Sequence, residues 1–209
     1  MEKEIPDPLK RVAEYYSLKL LEHGANFRGV DWNSEASQSL RFDQLSKIFQ
    51  VDEEFSVLDW GCGYGSFYGY LLKHCRRFKY HGIDVSPDMI REAKQRFQNC
   101  INASFSCSNT STQKVDYIVA SGIFNVKLNC SNMTWFTHIQ NTISAFASNS
   151  RRGFAFNCLT SFSDPDRMRE DLYYADPCIL FDLCKKTYSR NVALLHDYGL
   201  YEFTILVRT

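Results

Sequence analysis

From Phe55 onward, short apolar runs alternate with helix-length amphipathic stretches. The apolar runs are FSVLDW (55–60), KYHGIDV (79–85), ASFSC (103–107), VDYIVAS (115–121) and GFAFNCL (153–159), each the length of a buried strand. Between them, periodic stretches at about 64–75, 87–99 and 134–147 predict helices. Strands that alternate with helices imply a parallel sheet joined by right-handed crossovers. The end departs from this rhythm: VALLHDY (192–198), Gly199 and YEFTILVRT (201–209) predict an antiparallel hairpin. Just before it, residues 164–187, with RMREDLYYA and PCILFDLCKK, read as helical. Residues 1–50 also read as helical, with apolar clusters at Val12, Tyr15, Tyr16, Leu18, Leu20 and at Leu40, Phe42, Leu45, Ile48, Phe49.

Composition narrows the class. A chain of 209 residues with this pattern is expected to be a single domain, 1–209, with residues 1–50 as a helical lid and 160–187 as a helical insertion. The 24 basic and 24 acidic side chains cancel, so the basic surplus of a nucleic-acid binder is absent. No run approaches the roughly 18 apolar residues of a membrane span, so no membrane partner is expected. The charged, proline-broken start MEKEIPDPLKR does not read as a signal peptide. The 8 cysteines contain no C-x-x-C, which speaks against a zinc site and for reduced thiols in a cytoplasmic protein.

The candidate chemistry begins at VLDWGCGYGS. Asp59 follows an apolar strand, and Gly61, Gly63 and Gly65 open the turn into the next helix. Nineteen residues after Gly65, a second strand ends in Gly82-Ile83-Asp84. Glycines after the first strand admit a ligand to the backbone, and an acid ending the second can hold a ribose diol. A dinucleotide fingerprint would put its third glycine at position 66, which is Ser66, so a nicotinamide-dependent oxidoreductase is disfavoured.

With D-x-G-x-G-x-G followed by GID, the chain resembles the class I S-adenosylmethionine-dependent methyltransferases, closely over roughly residues 55–159. The resemblance implies a three-layer Rossmann-like α/β fold with a seven-stranded sheet in the order 3-2-1-4-5-7-6, strand 7 antiparallel. It implies S-adenosylmethionine as cofactor and S-adenosylhomocysteine as product. By the same resemblance, Asp59, Gly61, Cys62 and Gly63 line the methionine end, and Asp84 holds the ribose. Val85 and Met89 flank the adenine, while Ser121 and Gly122 pass under the sulfonium. Ser106, Cys107 and Ser108 remain alternatives for a polar adenine partner. Cys62 is expected to fill space beside the first strand.

The acceptor is less legible. ASGIFN (120–125) lacks the [DN]-P-P-[YF] of adenine-N6 and glutamine-amide enzymes. Cys158 reads as a buried apolar residue, and Asp164, Asp166 and Asp171 form no metal set. A small-molecule acceptor is therefore expected, O- or N-methylated by in-line displacement, in a pocket between residues 24–41 and 160–187 above Ser121–Asn125. Arg28, Trp32, Arg41, Asn125 and Tyr173 are the substrate-side candidates. Tyr173, Tyr174 and His196 are the candidate catalytic groups, with His138 a further histidine in the 134–147 stretch, and the tyrosines are expected on a helix. The competing readings are a macromolecular acceptor, RNA or protein, and a cofactor-binding fold without catalysis.

Overall fold

The computed structural model describes residues 8–50 and 53–209. The part of the expected lid that falls on residues 1–7 lies outside the described residues. Helices α1 (Pro8–His23) and α2 (Glu35–Ser46) flank a single 3-10 turn, Phe27–Val30. Then come β1 (Phe55–Trp60), α3 (Ser66–His74), β2 (Phe78–Asp84), α4 (Pro87–Arg96), β3 (Ala103–Cys107) and β4 (Val115–Ala120). The chain closes with α5 (Asn132–Asn149), β5 (Ser150–Leu159), α6 (Pro177–Thr187), β6 (Asn191–Leu195) and β7 (Glu202–Arg208).

The seven strands form one sheet in the order β3-β2-β1-β4-β5-β7-β6. β1 to β5 run parallel, and β7 runs antiparallel to both β5 and β6. Side-chain alternation along each strand feeds two cores, as expected of a sheet covered on both faces. In β1, Leu58 and Trp60 join the face covered by Trp135, Ile139, Ile143 and Phe146 of α5 and Leu180 of α6. Phe55 and Val57 point the other way, against Phe42 and Leu45 of α2, Phe67 and Leu71 of α3 and Ile90 of α4.

Local chemistry sets the helix starts. Ser34 and Ser37 form a reciprocal capping box at α2, and the Ser86 and Asp176 side chains cap α4 and α6, each followed by proline. In one segment the structure corrects the expectation. RMREDLYYA is not helical, because its backbone is spent on tertiary partners rather than on an i−4 ladder. Lys127 N and Leu128 N donate to Asp171 O, Tyr173 N to Asn125 O, and Ala175 N to Leu159 O. After a short 3-10 turn at Pro165–Arg167 the segment is an extended strap, and α6 beyond it is α-helical, packed against β6 and β7.

Candidate active site

The carboxyl ends of β1, β2 and β4 converge on one cleft. Gly61 N and Cys62 N both donate to Ile83 O, at 2.8 and 2.9 Å, which pins the glycine turn against β2. Gly61 has φ +79°, and a Cβ there would lie 2.2 Å from Ile123 Cγ2, so position 61 admits no side chain. Asp84 is buried, and its Oδ2 accepts Gly63 N at 2.9 Å while Oδ1 accepts Ser86 N at 2.8 Å. Burial raises the Asp84 carboxyl, and these backbone donors oppose the rise. Asp59 is also buried and is pushed up to about 7, mainly by desolvation and further by the Asp84 charge, although Tyr80 Oη donates to it at 2.5 Å. Cys62 is buried against Gly82 and its thiol is raised by desolvation, as befits a side chain that fills space.

All nine expected cofactor residues line this cleft: Asp59, Gly61, Cys62, Gly63, Asp84, Val85, Met89, Ser121 and Gly122. Ser108 and Asn109, just past β3, border it beyond Val85. Ser106 is instead turned to His81, and Cys107 is exposed with its thiol toward Val85 O. At the other end, the Ser121 hydroxyl is buried without a hydrogen-bond partner. Gly122 N donates to Asn157 Oδ1 at 2.7 Å.

The cleft is roofed by α1 and the segment that follows it, through Val12, Tyr16, Val30 and Trp32, with Gln38 and Phe42 of α2 at its side. The roof is tied down at two points. Ser17 Oγ meets Ser86 Oγ at 2.9 Å, which joins α1 to the cap of α4. Asp31 accepts Tyr15 Oη at 2.7 Å, pairs with Lys19 at 2.9 Å, and lies 3.6 Å from Arg169 of the strap. Burial would raise the Asp31 carboxyl, yet Tyr15 and Lys19 outweigh it and hold it below its ordinary value.

The expected substrate set is largely dispersed. Trp32 lines the cleft. Arg28 is exposed on the surface beside Phe27. Arg41 is buried and committed: Nε and Nη2 donate to Glu202 at 2.8 Å each, and Nη1 donates to Ser37 O at 2.7 Å. Asn125 is buried, its Oδ1 accepting Leu159 N of β5 at 3.1 Å and its carbonyl accepting Tyr173 N of the strap at 2.7 Å. Tyr173 and Tyr174 lie on the strap and not on a helix, half-buried, with Tyr174 Oη accepting Arg169 N at 2.9 Å. His196 is exposed between the rings of Phe162 and Phe203. None of these six lines the cleft, and neither does any residue of 160–187, so the insertion does not form its wall.

In their place the cleft holds Tyr16 and His138, the latter packed by Trp135 and Phe124. Tyr16 is legible in the sequence only as part of an apolar cluster, since Val12 and Tyr16 stand at helical spacing on one face. Burial, followed by the charge of Asp31, raises its phenol far above the ordinary value. Among the described residues, no three His, Cys, Asp or Glu side chains converge as a metal site.

The family model described as "Methyltransferase domain" matches residues 57–151. The methyltransferase-family protein Rv1506c of Mycobacterium tuberculosis H37Rv is 56% identical over 162 residues, covering 78% of this chain and 98% of that protein. Among solved structures, magnesium protoporphyrin IX methyltransferase (ChlM) from Synechocystis PCC 6803 with bound S-adenosylhomocysteine is similar at a TM-score of 0.69. It is 15% identical and covers 95% of this chain and 98% of its own. The N-methyltransferase NodS from Bradyrhizobium japonicum WM9, in complex with S-adenosylhomocysteine, gives 0.66 at 17% identity, covering 97% of this chain and 99% of its own.

Proposed function

The chain belongs to the S-adenosylmethionine-dependent methyltransferases of the class I fold, and from that premise we propose that it methylates a small acceptor without anionic groups. The cofactor is S-adenosylmethionine, which supplies a methyl group on a cationic sulfur already activated for displacement. The residues fit it. Gly61, Gly63 and Gly122 present bare backbone to the cleft, two buried carboxylates suit a ribose diol and an ammonium, and the Ser121 hydroxyl is an orphaned donor at the floor. On this reading Asp84 holds the ribose, Asp59 faces the amino-acid end, Val85 and Met89 flank the adenine, and Ser121 and Gly122 support the reacting end.

The observation that carries the acceptor class is the charge of the lining. Among the described residues, no Lys or Arg lines the cleft, while Asp59 and Asp84 do. A phosphate or carboxylate acceptor would find no protein cation there to replace its hydration, with only the cofactor's own sulfonium as a positive charge, which is costly. The roof offers indole, phenol and aliphatic surface instead, which suits a flat or apolar molecule of limited size. Such walls exclude water and align the acceptor, and alignment alone supplies about 7–11 kcal/mol in favourable cases. For a hydroxyl acceptor, His138 is the group positioned to take the proton. Tyr16, held protonated by burial, can serve as a donor and does not act as a base.

Labelled S-adenosylmethionine incubated with the enzyme and fractionated cell extract tests this reading. Label is expected in the small, non-anionic metabolite fraction. Label confined to RNA, to protein or to the anionic metabolites would overturn it.

A further inference from the structure

Arg41, buried beside the cleft, does not line it, and what the side chain holds is informative. β7 is antiparallel, so its first residue, Glu202, is delivered to the edge where the parallel strands end, opposite Leu159 of β5. The Glu202 side chain is fully buried and grips Arg41 of α2 through two hydrogen bonds of 2.8 Å. The same guanidinium lies over the Trp32 ring, 4.0 Å from its centroid. The far edge of the indole rests on Gly122, where a Cβ would come within 2.6 Å of Cζ2 and Cη2. Gly122 is anchored in turn to Asn157 of β5, and Asn157 is the register partner of Thr204 in β7. The contacts therefore run in a closed ring from β7 through the roof to the floor of the cleft and back to the sheet.

We propose that Glu202 is a positioning residue that sets Trp32 over the Gly122 end of the bound cofactor, acting through the planar face of Arg41. A bidentate carboxylate fixes the guanidinium plane, and a fixed plane gives the indole one seat. A lysine at 41 would keep the charge pair but offer no plane. The inference rests on the placement of S-adenosylmethionine at these strand ends.

Calorimetry with S-adenosylhomocysteine separates the two ideas, with circular dichroism to confirm folding of each variant. The wild type is expected to bind; failure to bind would overturn the cofactor placement itself. Trp32→Ala should weaken binding about tenfold, as for a large aromatic at a desolvated contact. Glu202→Gln and Arg41→Lys should each weaken it several-fold, and Trp32→Phe should restore most of what alanine loses. The decisive variant is Trp32→Ala/Glu202→Gln, which should bind no more weakly than Trp32→Ala alone. Additive losses would mean that Glu202 acts by general destabilisation and not through Trp32, and would overturn the proposal. Where Glu202→Gln fails to fold, Trp32→Ala/Arg41→Lys, which keeps the charge pair, tests the same coupling with the same two outcomes.

Discussion

Replacing Asp59 by asparagine should stabilise the protein at neutral pH while weakening its hold on the cofactor. The unfolded chain releases the Asp59 proton near 3.8, whereas the folded protein holds it to about 7. Between those values the native state binds one proton more than the unfolded state. Stability therefore falls as pH rises through this window, the reverse of the usual buried aspartate with an ion-pair partner. At about 1.36 kcal/mol per pH unit over roughly three units, the ionised carboxylate costs about 4 kcal/mol above pH 7. Asparagine occupies the same volume, can still accept the Tyr80 hydroxyl, and escapes that cost. The difference in urea-unfolding free energy between the Asp59→Asn variant and the wild type should be small near pH 4 and grow to a few kcal/mol at pH 8. On the proposed placement the cofactor ammonium beside Asp59 reverses the preference, so binding should release most of a proton near pH 6.5, visible by calorimetry in buffers of different ionisation enthalpy. A wild type that gains stability relative to the variant between pH 4 and 7, or binding that takes up protons, would refute the reasoning.

Three further outcomes are expected. Asp84→Ala removes charge-assisted hydrogen bonds worth about 1.5–3 kcal/mol each, so affinity for S-adenosylhomocysteine should fall at least tenfold in a titration. Cys62→Ala deletes a buried filler, so binding should stay within a few fold of wild type while thermal denaturation shows a loss of about 1 kcal/mol. Gly122→Ala forces a left-handed residue into the Trp32 ring and should cost at least about 1–2 kcal/mol in urea unfolding; Trp32→Ala added to it should recover part of that loss, and no recovery would mean that the ring is not what the methyl group meets.

Most strands are legible in the sequence because the run is short and apolar, and even the edge strand β3, where only Phe105 is buried, keeps an aromatic at its centre. ASFSC and FSVLDW are strands at the residues the pattern marks. The glycine turn is legible because its conformation leaves few alternatives to glycine. The strap is not: RMREDLYYA carries helix-forming residues, but its fold is decided by carbonyls and amides of 125–128 and 159 that sequence distance conceals. The roof is half legible. Trp32 stands out as an aromatic in a polar loop, while Arg41 reads as a free cation because its partner lies 161 residues away. Tyr16 shares its spacing with core residues, so periodicity assigns it to packing and gives no sign that the face it covers is a cleft.

The two ties that hold α1 down, Ser17 to Ser86 and Asp31 to Tyr15 and Lys19, bear on kinetics. Ser86 caps α4 two residues after Asp84, so the roof is latched directly beside the proposed ribose site. If donor entry and product exit pass this roof, each turnover requires the hydroxyl pair and the Asp31 cluster to part and re-form, whichever acceptor is used. The opening rate of α1 would then set a ceiling on turnover, on which a poor acceptor and a good one converge once displacement is faster than opening.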